Sequence, residues 1–392
     1  MCFIKNRISV ILLLLCFSEI SRSQDAVSVK EDVTKIVTAY LSPGIIMTGL
    51  SLGRNWQSTA KLKDPLRLDL KVEMVFITIP GQDKIVDLNK LGLKYLKPVT
   101  DHSLTPTVVG DIKAINPYIA LFSQEKENIF EIANGQTITV HVPSFIIPNS
   151  TFKLLPAATI SPVKNTIGVP LIQANLGVAY GSEVSLRYGQ QFIKGDFNYN
   201  VFGLAYKQNL GLLLYGKDEE FSLFDMSMLV GFNNLNFTNK IRSISSDDPI
   251  LLQDIATQKI IVKTQTMNTE LLVSKKIFFF DIFIGPGYVL TTSKFGMLGN
   301  YPIVGLTISS QTTKELNSIY TSSIHTDTYV IKDPIAIKFK AQEFYMTTGF
   351  QFSYLGILKT SLSYTYGNKY QSLNFGFGFS LDRLMNEYDP RL

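Results

Sequence analysis

The sequence has few of the residues from which catalytic and metal sites are most often built. It contains two cysteines and three histidines in 392 residues. Both cysteines, Cys2 and Cys16, lie in the apolar N-terminal stretch. If that stretch is removed as a secretory signal, the mature chain has no disulfide, no thiolate metal ligand and no cysteine nucleophile.

Beyond its N-terminus, the sequence shows no uninterrupted apolar run near the roughly 18–20 residues that a transmembrane helix needs. The net charge is only +5 and the basic residues are scattered, so we expect no nucleic-acid partner. Nevertheless the mean hydropathy is +0.14, and the chain contains 26 Phe and 18 Tyr. A transmembrane β-barrel explains this combination, because an apolar outer half alternates with a polar inner half along every strand.

Residues 1–23 have the three parts of a secretory signal. Lys5 and Arg7 precede the apolar run ISVILLLLCF, and SRSQ provides a cleavage site after Ser23. Leu15 is too bulky to precede a lipidated Cys16, so we expect cleavage rather than lipidation.

The mature N-terminus predicts a plug segment over residues 24–60. VKEDVTKIVTAYLSPG is typical of a short amphipathic helix, with Val33, Ile36, Val37 and Tyr40 on one face, and Ser42–Gly44 should end it. The following IIMTGLSLGRNWQSTA fits either a second helix or a first strand.

Residues 61–392 predict an all-β fold, a transmembrane antiparallel barrel of about 12–14 strands. Apolar and polar residues alternate in LRLDLKVEMVF, SEVSLRY, FSLFDMSMLVGF, FYMTTGFQFSYL and LNFGFGFSL. Short turns are expected at Ser274–Lys276 and around Gly356, and a long polar loop over about residues 294–340. Mixed polarity predicts a partly non-barrel insertion over about residues 84–163, in which QTITVHV is the clearest strand.

A secreted β-sandwich is the alternative fold, because its strands alternate too. Its strands average about 5–6 residues, whereas several here run to about 10, near the 9–11 that cross a membrane. Tyrosines at strand ends also predict an interfacial girdle, formed by Tyr354, Tyr364, Tyr366 and Tyr370.

The strand register predicts a set of charges that face the lumen, since a charge facing lipid near the midplane costs roughly 2–4 kcal/mol. These are Arg67, Asp69, Lys71, Glu73, Glu183, Arg187, Lys207, Asp225, Glu270, Asp281 and Lys359. Two roles remain open for them: they pair with one another or hold the plug, or they line a path for a solute.

Nothing in the sequence predicts an enzyme, a metal site or a cofactor. Asp101, His102 and Ser103 are the residue types of a hydrolytic site, but neighbours in an extended chain point to opposite faces. His325 and Asp327 share a polar region without a second histidine nearby. The glycines of GPG (285–287) and GFG (376–378) precede no helix, so they predict bends or close approaches rather than phosphate binding.

Several runs resemble an uncharacterised family of outer-membrane barrels from Bacteroidota. They are AYLSPG with GRNWQSTA, LRLDLKVEMVFITIP, YGSEVSLRYGQ, ELLVSKKIFFFDIFIGPGYVL and YGNKYQSLNFGFGFSL. More distantly, an N-terminal segment leading into a barrel is similar to the long-chain fatty-acid transporter barrels, in which such a segment plugs the lumen. The resemblance implies an outer-membrane location, but the chain departs from the pattern by continuing as DRLMNEYDPRL after its last strand.

Two functions follow as expectations. The first is passage or binding of small or amphiphilic solutes through a partly plugged lumen. The second is a non-conducting scaffold or accessory barrel of an outer-membrane complex, with an envelope protein as its partner. In both cases the expected partners include outer-membrane lipid and, during biogenesis, the barrel-insertion machinery.

Overall fold

The computed structural model describes most of the chain between residues 23 and 381. The gaps are residues 101, 112–116, 123–125, 133–135, 143, 145, 147–151, 154–165, 191–196, 216–222, 241–257, 310–322 and 356. The predicted signal, the C-terminal extension, Asp101 and Gly356 lie outside the described residues.

Strands dominate the described part. Two α-helices are present there, α1 (Ser23–Gly53) and α2 (Leu210–Tyr215), with short 3-10 helices at Gly81–Asp83 and Leu88–Leu91. The strands are β1 (Leu68–Thr78), β2 (Ile85–Asp87), β3 (Leu96–Pro98), β4 (Leu104–Pro106), β5 (Tyr118–Leu121), β6 (Lys126–Ile132), β7 (Gln136–Val142), β8 (Phe152–Lys153), β9 (Thr166–Val178), β10 (Ser182–Gln190), β11 (Phe197–Asn209), β12 (Asp225–Lys240), β13 (Lys259–Ile277), β14 (Phe280–Leu298), β15 (Asn300–Ser309), β16 (Ser323–Lys332), β17 (Ile335–Tyr354), β18 (Leu358–Gly367) and β19 (Gln371–Ser380).

Ten of these strands form a closed antiparallel barrel in the order β1-β19-β18-β17-β14-β13-β12-β11-β10-β9. The pairing of β1 with both β19 and β9 closes the ring, so the wall has no free edge. One end, here the turn end, carries the short connections at residues 179–181, 278–279 and 355–357 and the end of β19. The opposite loop end carries most of the long connections, residues 79–165, 241–258 and 299–334, together with the short turn 368–370, while the turn end also carries the longer connection 210–224, which includes α2. This asymmetry is usual for outer-membrane barrels, where the short turns are periplasmic.

The outer face of the barrel is an apolar band. Phe375, Phe377 and Phe379 of β19 are exposed on this face. Asn374, which precedes Phe375 in the same strand, faces the buried interior. The same alternation holds in β10 and β12, because successive side chains of a strand point to opposite faces. Tyr354, Tyr364 and Tyr366 lie on the outer face, near the strand ends.

The barrel has ten strands, so the predicted count of 12–14 is wrong. Alternation identifies strands but does not tell which sheet they join. The pairs β15–β16 and β6–β7 each form a separate two-stranded sheet that is not part of the barrel. Between β1 and β9, residues 79–165 form the insertion, and its described strands pair only with one another. QTITVHV forms β7, as predicted.

Two predicted connections are also displaced. Ser274–Lys276 belongs to β13, and the hairpin turn follows at Phe278 and Phe279. The stretch expected as a polar loop over residues 294–340 contains the end of β14, the β15–β16 hairpin and the start of β17. Strands β14 and β17 have 19 and 20 residues, so at about 3.3 Å per residue they extend well beyond a hydrocarbon core of about 30 Å.

Helix α1 does not end at Ser42–Gly44 as predicted but runs through Pro43 to Gly53. Proline removes one backbone donor and usually breaks a helix. Here the helix lies inside the barrel, where water is scarce and an interrupted helix would leave backbone groups without partners. Residues Val29–Gly53 are also long and apolar enough to cross a membrane by composition, contrary to the sequence expectation. The barrel wall and the insertion together cover them instead.

The N-terminal half of α1 lies at the loop end, between the wall and the insertion. Val33, Ile36 and Val37 form a buried cluster with insertion residues such as Leu96 and wall residues such as Phe295. Helix α1 therefore runs from the loop end towards the turn end, antiparallel to β1.

Candidate functional site

Residues 54–63, here the lumen segment, continue from α1 through the middle of the barrel towards the turn end. This segment is not helical, so its backbone carbonyls need partners from elsewhere. Wall side chains supply them. Gln173 and Lys71 donate to the Trp56 carbonyl oxygen at 2.7 and 2.9 Å. Lys207 donates to the carbonyl oxygens of Thr59 and Lys61 at 3.2 and 3.1 Å.

Arg187 on β10 makes the largest set of contacts with the plug. Its guanidinium donates to the carbonyl oxygens of Leu52 and Arg54, both at 3.0 Å, and also to that of Asn55. It pairs with Glu73 at 3.0 Å and stacks 3.9 Å from the Trp56 ring centroid. A planar fork with five donors suits this task, because each N–H can serve a different acceptor.

Arg54 makes the reverse contact, from the plug to the wall. Its guanidinium pairs with Glu343 of β17 and donates to the Tyr370 carbonyl oxygen at 3.3 Å. The other Glu343 oxygen accepts the backbone N–H groups of Lys369 and Tyr370 at 2.7 and 2.9 Å. Arg54 is fully buried and Glu343 nearly so, which makes this ion pair costly to break from one side.

Further along the lumen segment, neutral groups make the hydrogen bonds to the wall. The Gln57 amide donates to Glu183 at 2.8 Å, and the Ser58 hydroxyl donates to Gln351 at 2.6 Å. The Ala60 N–H donates to the Ser274 hydroxyl at 2.9 Å. The lumen segment is thus bonded to strands on different sides of the barrel.

Two wall glycines make room for Trp56. A Cβ added to Gly203 would lie 3.0 Å from the Trp56 ring, and one added to Gly231 would lie 2.7 Å from its Nε1. Any larger residue would therefore collide with the indole. Such close approaches were expected at GPG (285–287) and GFG (376–378), but a Cβ added to those glycines would meet wall residues, such as Tyr345 at Gly287, rather than the plug.

A cavity of about 430 Å³ lies below the lumen segment at the turn end. Its lining includes lumen-segment residues from Gln57 to Lys63, Asp64, and wall residues from β1, β9, β10, β13, β14, β17, β18 and β19. We call it the turn-end cavity. Burial and the neighbouring Lys359 lower the pKa of Lys63 to about 8, although Asp69 opposes the shift.

The structure brings seven of the predicted lumen charges into ion pairs with one another. Asp69 pairs with Lys359 at 2.7 Å, and Glu183 with Lys207 at 3.6 Å. Glu73 pairs with both Arg187 and Lys71. The other predicted charges stand apart from these pairs. Glu270 and Asp281 are buried in the wall, Asp225 is half-buried at the start of β12, and Arg67 pairs with Asp64 just before β1.

Glu343, Gln173 and the buried role of Tyr370 were not predicted from the sequence. Tyr370, expected in the aromatic girdle, is buried and donates to Asp83 of the insertion at 2.6 Å. Burial and the Asp83 carboxylate raise the pKa of Tyr370 well above its usual value. A polar run, Arg54–Ser58, directly after a helix was the available signal, because polar residues there need partners inside the barrel.

The catalytic residue types noted in the sequence do not form a site in the described residues. His102 is exposed, and the Ser103 hydroxyl donates to Asp87 at 2.7 Å. His141 and His325 lie on β7 and β16, and Asp327 also lies on β16. Across the part of the chain that is described, no group of three or more His, Cys, Asp or Glu side chains is placed to hold a metal.

Comparison with known proteins places the chain in a family. The family of unknown function DUF6588 matches residues 4–381. This chain belongs to DUF6588. No curated protein matches it.

Solved structures similar to this DUF6588 chain include outer-membrane barrels. The translocator domain of autotransporter NalP from Neisseria meningitidis is 8% identical over 88% of this chain and 97% of its own, with a TM-score of 0.29. The transporter YddB from Escherichia coli is 9% identical over 78% of this chain and 40% of its own, with a TM-score of 0.27. The outer-membrane protease OmpT from Escherichia coli is 8% identical over 81% and 95%, with a TM-score of 0.26. These likenesses are weak, and the barrel assignment rests on the strand pairing of the chain itself.

Proposed function

We propose that this protein is an outer-membrane barrel that is closed to solute flow and presents its loop-end insertion to a partner protein of the cell envelope. The observation that carries the proposal is the continuous occupation of the lumen by residues 23–63. Helix α1 fills the loop-end half, and the lumen segment fills the middle. Wall charges that could have lined a solute path donate instead to the backbone of the plug.

The contacts of the insertion with the plug support a presenting role. The buried carboxylate of Asp32 on α1 accepts the backbone N–H groups of Lys94, Tyr95 and Leu96 at 2.8, 2.7 and 3.1 Å. Lys35 donates to the Gly92 carbonyl oxygen at 2.6 Å. Tyr370 and Lys369 hold Asp83 from the barrel side. A surface fixed in this way is preorganised for binding, because little motion is lost when a partner docks.

Passage of small or amphiphilic solutes is the second candidate. The turn-end cavity favours it, as does the polar character of the lumen segment, whose hydrogen bonds water could replace. The similarity to long-chain fatty-acid transporter barrels and the assignment to Bacteroidota remain predictions from sequence. Under this reading the lumen segment moves aside during each transport event.

Single-channel recording in a planar bilayer distinguishes the two candidates. We expect the refolded mature protein to be silent and a form lacking residues 24–60 to conduct. In an emptied lumen the wall charges face water, so the cost of burying them without partners disappears. A heat-modifiable gel shift shows that each form has folded as a barrel.

Steady conductance through the full mature chain would contradict the proposal. Opening of the full chain only when a solute is added would favour the transport candidate. A folded but silent deletion form would show that residues other than 24–60 close the lumen.

A further inference from the structure

We propose that the turn-end cavity is a binding site for a small anion that also carries hydroxyl groups, such as a sugar phosphate. The proposal goes beyond the closed-barrel function, because the cavity lies at the turn end, where residues 57–63 of the lumen segment form one side of it and the wall forms the rest. A barrel that passes no solute can hold a ligand there.

Positive charge exceeds negative charge around the cavity. The lining contains six basic and four acidic side chains. The basic ones are Lys61, Lys63, Arg67, Lys71, Lys276 and Lys359, and the acidic ones are Asp64, Asp69, Glu183 and Asp281. Two of these side chains are paired with partners outside the lining, Glu183 with Lys207 and Lys71 with Glu73, which leaves five basic and three acidic ones. An anion is therefore the ligand that the local field attracts.

The centre of this charge is an ion triplet rather than a pair. Lys63 and Lys359 both contact the same oxygen of Asp69, its Oδ2. The Lys63 and Asp69 side chains are only 10% and 9% exposed. Two ammonium groups on one carboxylate oxygen leave one positive charge in excess. Burial first, and Lys359 second, lower the pKa of Lys63. A phosphate or carboxylate group beside them would remove the excess.

The same cavity also offers acceptors. Oδ1 of Asp69 and Oδ1 of Asp281 are buried, and neither accepts a hydrogen bond from the described residues. Buried carboxylate oxygens normally have donors. A ligand that carries hydroxyl groups as well as an anionic group would satisfy both oxygens while its anion meets the lysines.

The volume also fits an organic molecule better than a bare ion. Small-molecule pockets run from about 300 to 1,000 Å³, and this cavity, at about 430 Å³, lies in the lower part of that range. A sugar phosphate combines the size, the charge and the hydroxyl donors.

Lys275 and Lys276 provide a matched pair of variants. They are neighbours in β13, so their side chains point to opposite faces of the wall. Lys276 lines the cavity, whereas the Lys275 ammonium lies 5.1 Å from the Phe224 ring centroid on the outer face. Lys276→Gln and Lys275→Gln remove the same charge at the same end of the barrel, and both side chains are exposed.

The test is titration calorimetry on the refolded mature protein in a non-ionic detergent. The probes are glucose 6-phosphate, glucose and inorganic phosphate. We expect glucose 6-phosphate to bind more tightly than either of the others. Lys276→Gln and Lys63→Gln should each weaken that binding about tenfold, as for one charge-assisted hydrogen bond. Lys275→Gln should leave it unchanged.

Three results would overturn the site. The first is no binding of glucose 6-phosphate to the folded wild-type barrel. The second is equal weakening by Lys275→Gln and Lys276→Gln, which would mean a general charge effect. The third is binding of inorganic phosphate as tight as that of glucose 6-phosphate, which would remove the role of the two aspartate oxygens. None of these results depends on conductance, so the site and the closed-barrel function fail separately.

Discussion

Replacing Arg187 with methionine should release the plug without opening the barrel wall. Methionine has a similar length but no donors, so Glu73 and the carbonyl oxygens of Leu52, Arg54 and Asn55 lose their shared partner. Removing one side of a buried ion pair costs about 3–5 kcal/mol. The wall itself should persist, because its backbone ladders do not involve this side chain.

That cost converts into a population of displaced plug. Each 1.4 kcal/mol is tenfold, so the displaced fraction should rise by about two to three and a half orders of magnitude. A single cysteine at Thr347 reports it, because this residue faces the lumen, is 1% exposed and bonds to Thr365 of the wall rather than to the plug. The rate of labelling by a hydrophilic maleimide then follows the displaced fraction.

The mature chain contains no other cysteine if the signal is removed after Ser23, so the label is specific. Lys275→Met in the same Thr347→Cys background is the control for loss of a positive charge, and it should leave the rate unchanged. An unchanged rate in folded Arg187→Met would refute the argument that this guanidinium holds the plug.

Two further predictions concern the loop end and the direction of the chain. Asp32→Ala should remove three backbone hydrogen bonds between α1 and the insertion. Limited proteolysis of Asp32→Ala should then cut the insertion while the barrel keeps its gel shift. Glu31→Ala, on an exposed neighbour, is the control and should have no effect. If Asp32→Ala resists the protease as well as the wild type does, Asp32 does not anchor the insertion. Lys30→Cys should react with an impermeant maleimide on intact cells and Lys276→Cys only after permeabilisation, because the two lie at opposite ends of the barrel. The reverse pattern would show the opposite orientation.

The strands of the barrel could be predicted from sequence because membrane and lumen impose opposite demands on alternate residues. In β19, Phe375 and Phe377 alternate with Asn374 and Gly376, and the structure has them on opposite faces. The number of barrel strands could not be predicted, because a strand such as β7, where Ile138, Val140 and Val142 alternate with polar residues, pairs outside the barrel sheet. Pairing partners far apart in sequence decide that question, and alternation carries no information about them.

The path of the plug was predictable only in part. The pattern of Val33, Ile36 and Val37 indicated an apolar face, and that face is buried. Pro43 predicted a helix end, because proline usually breaks a helix. That expectation assumes that water or a capping side chain can donate to the carbonyl oxygen that loses its helical partner. Inside a barrel the alternatives to a helix are worse, so the surroundings override the local preference.

The hydrogen-bond partners of the predicted lumen charges could not be predicted from the sequence either. Lys71 and Arg187 could be placed on the inner face by register. Their main acceptors are the carbonyl oxygens of Trp56, Leu52 and Arg54. Because every residue has a backbone carbonyl, the sequence does not indicate which of them accepts. Arg54 and Glu343 are separated by most of the chain, and only the folded structure brings them together.

Crosslinking in the membrane tests the central claim, the occupied lumen, most directly. The side-chain oxygens of Thr59 in the lumen segment and Ser274 in the wall lie 3.1 Å apart. We predict that Thr59→Cys with Ser274→Cys forms a disulfide on mild oxidation of whole membranes. Thr59→Cys with Lys275→Cys, whose side chain points out of the lumen, should form none. A double variant that is folded in the membrane, oxidised, and still carries two free thiols would contradict the account.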